Sequence, residues 1–446
     1  MNKIADFFTR LVSRYMPDPL VIAILLTVLT LILAVLIQGA SPVAALDDWG
    51  DGFWDLLSFS MQMTVILLAG YILAKTPLVD SVLGRIAASV STPFAAIVVA
   101  TLVGGIGSWL NWGFGLVIGS LVAQKLAMNV RGLHYPLVIA AAYSGFALYG
   151  VGLSGTVPLL LATPGHFLEE QIGIVPLDQT IFSPFVLGST IVVLITLPFF
   201  NAWMHPKRAE DVIEYKNPSR TDDAASSSQG GALPESTAAD WLNRSPAIGI
   251  GIGLLGMVYV GLHFYDGGSL NLNILNFAFV FMGILLFASP QRYLATLNDG
   301  VRIVAGIIIQ YPFYAGIMAI LTGSGLVTSF AQIFVSISSA ETLPIWSFVS
   351  GGIINLLAPS GGGQWAVQGP VMVEAAKSLG ASQPATALAV QIGDQWTNMI
   401  QPFWLLPVLA ISGLKLRDVM GYMVLVLFYL GVIFASTILL WGFLSA

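Results

Sequence analysis

IAASVSTPFAAIVVATLVGGIGSWLNWGFGLVIGSLVAQ, residues 86–124, is an uncharged run bounded by Arg85 and Lys125. Basic residues that flank apolar segments collect on the cytoplasmic side of a membrane. A segment with both ends on that side must turn back, and its natural turn is Asn111-Trp112-Gly113-Phe114-Gly115. About 14 residues per arm at a rise of ~1.5 Å each fall short of the ~30 Å of hydrocarbon. The stretch therefore predicts a re-entrant hairpin, about 96–126, that opens to the cytoplasm. A second uncharged run, Thr342 to Val373, lies between Glu341 and Glu374 and turns at Asn355-Leu-Leu-Ala-Pro359-Ser360-Gly361-Gly362-Gly363-Gln364. It predicts a second hairpin, about 344–376, dipping in from the opposite face.

The remainder of the chain supports a membrane setting. Of 446 residues, 56% are hydrophobic and 9% charged, with a mean hydropathy of +0.85, whereas soluble domains carry roughly a quarter charged residues. With the N-terminus inside, nine crossings follow at about 20–38, 53–74, 136–165, 183–203, 246–265, 272–289, 303–323, 384–411 and 419–444. This drawing puts 16 of the 17 Lys and Arg residues on the cytoplasmic side, Lys377 excepted, and the C-terminus outside. Asp47, Asp48, Asp51, Glu169, Glu170 and Asp178 fall in outer loops. No apolar core with a small-residue cleavage site opens the chain, so no signal peptide is expected. Phe7, Phe8, Leu11, Val12 and Tyr15 alternate with Lys3, Arg10 and Arg14, which predicts an amphipathic helix at 1–19 on the cytoplasmic face.

The two hairpins recur at a fixed interval. Asn111 to Pro158 is 47 residues (158 − 111), and Asn355 to Pro402 is also 47 (402 − 355). An offset of 244 (355 − 111) carries the first-half spans to within about ten residues of second-half spans. The expected fold class is an all-α integral membrane protein with nine transmembrane helices plus two re-entrant hairpins in an inverted-topology repeat. Its parts are a first repeat at 20–203, a cytoplasmic linker at 204–245, a connecting helix at 246–265 and a second, inverted repeat at 266–446. The linker, rich in Ser, Asp, Pro and Gly, is expected to be largely disordered and without chemistry. Inverted repeats with interrupted helices point to an alternating-access carrier with its site near the midplane.

Non-helical backbone at membrane depth needs partners from protein, water or ligand. A helix N-terminus at such a turn directs free N–H groups at an anion, and glycine allows close approach. The candidates at the first hairpin are Ser108, Asn111, Trp112, Gly113 and Gly115, and in the following helix Ser154, Gly155 and Thr156. At the second they are Asn355, Ser360, Gly361, Gly362 and Gln364, followed by Asp394, Gln395, Thr397 and Asn398. Their competing reading is interhelical stitching by small polar residues. Asp394 is the sole ionisable side chain deep in an expected span, where a charge costs several kcal/mol unless paired or protonated. It is the coupling candidate, either carrying a proton or coordinating a cation, against the alternative of a structural hydrogen bond to a helix end. No Lys or Arg falls at the site, which favours a monoanion. Trp109, Trp112, Trp365, Trp396, Phe403 and Trp404 are candidate apolar walls.

Other classes fit less well. Gly152-Leu-Ser154-Gly155 has the look of a serine-protease turn, but His134, His166, His205 and His263 lie at span ends, so Ser154 has no evident base. Asp394 has no second intramembrane Asp. The chain has no Cys and hence no disulfide framework or thiolate. Nothing points to nucleic acid. An anion channel would share re-entrant loops, but the repeat favours a carrier.

The sequence resembles the short-chain fatty acid transporter family, the acetoacetate/butyrate permease type within the ion-transporter superfamily of elevator carriers. The residues behind the resemblance are Met16-Pro-Asp-Pro-Leu20, Trp49-Gly-Asp-Gly-Phe-Trp54, Asn111-Trp-Gly-Phe-Gly115, Pro359-Ser-Gly-Gly-Gly-Gln-Trp365 and Gln395-Trp-Thr-Asn-Met-Ile-Gln-Pro-Phe-Trp404. They span nearly the whole chain except 205–245. The resemblance implies uptake of a small monocarboxylate such as acetoacetate or butyrate across the inner (plasma) membrane, an elevator movement and a homodimer. A dicarboxylate or an aminobenzoyl-glutamate-like anion is the alternative substrate. No cofactor is expected beyond a coupling ion. Sodium-coupled relatives in the superfamily use paired tips with Ser, Asn and Thr, which would place sodium near Asn111 and Asn355. The tips here depart from the Ser-Asn-Thr pattern of dicarboxylate carriers, since Ser108 lies two residues too far from Asn111 and Asn355 is not followed by Thr. Proton coupling through Asp394 is the competitor.

Overall fold

A computed structural model describes Pro17 and residues 19–215, 237–356 and 360–445. Among these residues there is no β-strand. The first half runs α1 (Pro19–Gln38), α2 (Pro42–Gly52), α3 (Leu57–Ala74), α4 (Pro77–Ala88), α5 (Pro93–Leu110), α6 (Trp112–Asn129), α7 (Tyr135–Ser144), a 3-10 segment (Gly145–Val151), α8 (Thr156–Leu161), α9 (Glu169–Ile172) and α10 (Pro184–Trp203). After the linker come α11 (Ala238–Arg244) and α12 (Pro246–Tyr265). The second half runs α13 (Leu272–Phe287), α14 (Pro290–Gly323), α15 (Leu326–Ile337), α16 (Leu343–Asn355), α17 (Gly361–Leu379), α18 (Gln383–Thr397), α19 (Pro402–Ser412) and α20 (Leu416–Ser445). The expected helix at 1–19 lies almost wholly outside the described residues, as does the centre of the linker, 216–236.

Many of these starts are written locally. Ser41-Pro42, Thr92-Pro93 and Ser183-Pro184 each place a hydroxyl acceptor before a proline whose missing N–H costs a helix nothing at its first turn. Their side chains accept from Ala44 N at 3.0 Å, Ala95 N at 3.3 Å and Val186 N at 3.4 Å.

Among the described residues, eight helices are long and apolar enough to cross a membrane. Seven coincide with expected spans. The eighth, α5, was expected as a hairpin arm of about 14 residues, but it has 18, because its helix starts at the Thr92 cap and continues to Leu110. The expected span at 272–289 is a helix of 16 residues. That at 384–411 is broken between α18 and α19, where Gln401 caps the second piece. α14 extends 13 residues (303 − 290) ahead of its expected start, as one helix of 34 residues that carries Arg292, Asp299 and Arg302. The amphipathic helices α4 and α15 were not foreseen.

The core is the broken segment Tyr135–Leu161, 94% buried in its most apolar window. The hairpin α5–α6 packs on α7 and the 3-10 segment, α16 packs along α18, and α18 meets the 3-10 segment and α8. The interrupted segments of both halves therefore cross at the centre. Where the linker begins, residues 205–215 fold back on the foot of α7. Tyr135 N donates to Ile213 O at 2.7 Å, and Ile213 N donates to His134 Nδ1 at 3.0 Å. Burial, with the neighbouring His205, pushes His134 down to about 4, partly offset by Asp211, so that its imidazole is neutral and free to accept this bond.

Candidate functional site

At the first tip a single residue separates the arms. Asn111 N donates to Gly107 O at 2.9 Å and ends α5, while its Oδ1 accepts from Phe114 N at 2.9 Å and starts α6. Its Nδ2 donates to Ile66 O at 3.2 Å. Ser154 Oγ accepts from Trp112 N at 2.9 Å, and Leu153 N donates to Trp109 O at 2.7 Å, which fastens the loop before α8 to the tip. The glycines are packing positions. A Cβ at Gly113 would meet Leu67 O at 2.7 Å, one at Gly115 would collide with Ser108, and one at Gly155 would meet the Pro158 ring at 2.8 Å.

At the second tip the arms are five residues apart (361 − 355 − 1), of which 357–359 lie outside the described residues. Asn355 Nδ2 is shared by Asn398 Oδ1 at 2.8 Å, Asp394 O at 2.9 Å and Thr397 Oγ1 at 3.0 Å. Thr397 Oγ1 in turn donates to Gly352 O at 3.0 Å. Ser360 caps α17, accepting from Gly363 N at 3.3 Å and donating to the Tyr311 hydroxyl at 3.3 Å. Gln364 Nε2 donates to Gly351 O at 2.9 Å.

Asp394 sits between the tips, 1% exposed. Its Oδ2 accepts from the Tyr149 hydroxyl and from Gln391 Nε2, the latter at 3.3 Å. Gln391 Nε2 also donates to the Tyr149 oxygen at 3.1 Å, and Gln391 Oε1 accepts from Val157 N, at the start of α8, at 3.1 Å. Several buried polar atoms here have no partner: Asp394 Oδ1, both amide atoms of Gln395, Asn398 Nδ2, Asn355 Oδ1 and Gln364 Oε1. Each unsatisfied buried group costs about 1–3 kcal/mol. Such a concentration calls for an explanation.

Beside this network is a narrow cavity. One end is polar, formed by Tyr149, Thr156, Gln310, Tyr311, Ser360, Gly361 and Gly362. Gly363 N is used by Ser360, while Gly361 and Gly362 head α17 without intrahelical partners for their N–H groups. A Cβ at Gly361 would come within 2.9 Å of the Tyr149 hydroxyl and 3.4 Å of Asp394 Oδ2, so the glycine keeps backbone and network in close approach. The walls are Met63, Trp112, Phe146, Ile307, Phe403 and Trp404. Trp112 stands edge-on to Trp404 with centroids 5.5 Å apart. Among the described residues no Lys, Arg or His lines the cavity.

Of the residues singled out in the sequence, Trp112, Thr156, Ser360, Gly361 and Gly362 line the cavity, and Asp394 stands one hydroxyl behind it. Asn355, Thr397 and Asn398 form the knot beneath it. Gln395 stands beside Gly150, where a Cβ would meet its Oε1 at 2.5 Å. Ser108, Asn111, Gly113, Gly115, Ser154 and Gly155 hold the first tip together and do not line the cavity. Among the aromatic candidates, Trp112, Phe403 and Trp404 are walls. Trp365 is fully buried, Trp396 donates to Leu427 O at 2.7 Å, and Trp109 is outside the lining. Sequence reasoning missed Tyr149, Gln391 and Tyr311. Gln391 had a signal, since it is three residues before Asp394 and shares its helix face.

A family model described as "Short chain fatty acid transporter" matches residues 1–441. A protein of Escherichia coli (strain K12), provisionally named a short-chain fatty acid transporter, is 40% identical over 436 residues, covering 97% of this chain and 98% of its own. A protein of Haemophilus influenzae with the same provisional name is 38% identical over 445 residues, covering 97% and 98%. Among solved structures, the Alcanivorax borkumensis YdaH transporter, described as having an unusual topology, superposes with a TM-score of 0.62 at 15% identity, over 95% of this chain and 98% of that one. At that identity the likeness is one of fold.

Proposed function

The chain belongs to the short-chain fatty acid transporter family, and from that premise we propose that this multi-pass membrane protein is a secondary carrier of a small monocarboxylate such as acetoacetate or butyrate. The observation that carries the reading is the cavity, lined both by aromatic side chains and by the first residues of α17. Free N–H groups and the positive end of the helix dipole suit one carboxylate, while Trp112, Phe146, Phe403 and Trp404 suit a short acyl chain. A dicarboxylate or an aminobenzoyl-glutamate-like anion would bring a second charge to a lining without Lys or Arg.

Transport is coupled to a cation, proton or sodium, with Asp394 as the coupling group. Sodium would be held by tip oxygens, for which Asn355 Oδ1 is free, whereas Asn111 Oδ1 is already occupied by Phe114 N. The hairpins re-enter the membrane from opposite faces as halves of an inverted repeat. They move together against the remaining helices in an elevator cycle, within a homodimer in the inner membrane, with the N-terminus cytoplasmic and the C-terminus outside. Supporting the repeat, α3, α5, α6 and α10 shifted by 244 residues fall on or beside α14, α16, α17 and α20.

The test is uptake of radiolabelled butyrate or acetoacetate by liposomes containing the purified protein, under imposed proton and sodium gradients separately. Saturable uptake above protein-free vesicles, accelerated by one gradient, is the expected result. No uptake above the control under either gradient removes the monocarboxylate reading.

A further inference from the structure

Asp394 is a buried carboxylate that does not line the cavity, and Tyr149 is the group that touches both. We propose that the Tyr149 hydroxyl is a proton relay between the cavity and Asp394, an inference that rests on the carrier reading above and commits its coupling to protons. Three observations place it there. The phenol ring is fixed by stacking on Phe146, with centroids 4.7 Å apart and planes 11° from parallel. The hydroxyl donates to Asp394 Oδ2. Gln391 sets the direction of the bond: its carbonyl is held by Val157 N at 3.1 Å, so its amide N–H must face the pair, and it donates to the Tyr149 oxygen at 3.1 Å. An oxygen that accepts from Gln391 and donates to Asp394 is oriented for transfer toward the carboxylate.

The step balances. Hydronium or the neutral acid of the substrate in the cavity gives a proton to Tyr149 Oη, leaving water or the substrate carboxylate, as Tyr149 gives its own to Asp394 Oδ2. One O–H bond forms and one breaks at the phenol, which is regenerated, and the carboxylate becomes neutral. The reverse step releases the proton when the cavity faces the other side. The groups facing Asp394 are Tyr149 from the 3-10 segment and Gln391 on its own helix, with Tyr311 of α14 near enough to sense its charge. Among the described residues no Lys, Arg or His pairs with it. The Tyr311 oxygen accepts from Ser360, and the donors to Asp394 Oδ2 among the described residues are Tyr149 and Gln391.

The experiment uses full-length protein in liposomes with butyrate as the probe, measuring proton-gradient-driven accumulation across external pH and exchange at equal pH on both sides. Tyr149→Phe removes one oxygen and keeps the stacked ring. It should lower gradient-driven accumulation at least about tenfold more than it lowers exchange, about 1.4 kcal/mol in the driven step. The double variant Tyr149→Phe with Asp394→Asn should accumulate no less than Asp394→Asn alone, because groups acting in one path are not additive. Substituting 3-fluorotyrosine for Tyr149 preserves the fold and acidifies the phenol, and should shift the pH profile of accumulation to lower pH. Wild-type accumulation by Tyr149→Phe, additive losses, or an unshifted fluorotyrosine profile would each overturn the relay while leaving the carrier reading intact. Driving by sodium alone in the wild type would overturn the relay as well. Absence of butyrate uptake by the wild type would instead sink the carrier reading beneath it.

Discussion

Asn111 does alone at the first tip what Asn355 and Ser360 divide between them at the second. At the first, one residue ends an arm through its backbone N–H, caps the next with its side chain and donates to Ile66 O, and the loop before α8 seals the joint through Ser154. At the second, the arm ends on Asn355, the cap sits five residues on at Ser360, and Gly361 and Gly362 at the α17 N-terminus line the cavity. The two tips are held differently. The first tip is tied by Asn111 and Ser154, although Ser108 Oγ, Trp109 Nε1 and Trp112 Nε1 have no partner there, and the second tip makes the close approach to Asp394. Similar tips thus do not imply similar duties.

The largest effect should come from Asp394→Asn, a change without a counterpart in the first half, where the offset of 244 leads to Gly150 (394 − 244). Gradient-driven accumulation should fall more than about tenfold, equivalent to over 1.4 kcal/mol, while exchange persists. Accumulation and pH dependence like the wild type's would break the assignment of coupling to the second half.

Paired glycine substitutions come next. Gly361→Ala puts a methyl 2.9 Å from the Tyr149 hydroxyl, and Gly113→Ala puts one 2.7 Å from the Leu67 carbonyl. The first obstacle is part of the site, so Gly361→Ala should raise the butyrate KM roughly tenfold, the worth of one good polar contact, with little loss of thermal stability. The second is backbone that cannot step aside, so Gly113→Ala should lower thermal stability and yield, leaving the KM of the surviving protein unchanged. Reversal of the two phenotypes would invert the comparison. Asn111→Ala should behave like Gly113→Ala at smaller scale, costing about 0.5–2 kcal/mol for the lost cap, measured by thermal unfolding in detergent.

The sequence made the hairpins legible because their cause is local: uncharged runs bounded by like charges, with Gly, Asn and Ser at one point. It also made Asp394 legible, because a lone carboxylate in an apolar run has no cheap explanation. The lengths of the arms were less legible, since Thr92-Pro93 sets the start of α5 upstream of the apolar window. The difference between the tips was not legible at all. Tyr149 and Gln391 acquire their meaning only where α8, α18 and the 3-10 segment cross, a contact between residues more than two hundred apart. Tyr149 read as one more aromatic in an interrupted span.

Trp112 tests the comparison at its finest point, because it is the residue that the first tip contributes to the cavity lining. If the first hairpin supplies shape and the second supplies chemistry, Trp112→Phe should leave coupling and pH dependence alone and change only the room for the acyl chain. The indole is edge-on to Trp404 and lies 6.4 Å from the Tyr149 ring, so a smaller ring frees space along the apolar wall while the polar end at Gly361 and Gly362 is unchanged. A buried methylene is worth about 0.8 kcal/mol, or roughly fourfold in affinity. Competition of butyrate uptake by hexanoate should therefore strengthen by up to about fourfold for each further methylene accommodated, with the butyrate KM itself altered less. An unchanged order of competitors would mean that the first hairpin does not shape the acyl pocket, and the division between the two tips would then be complete.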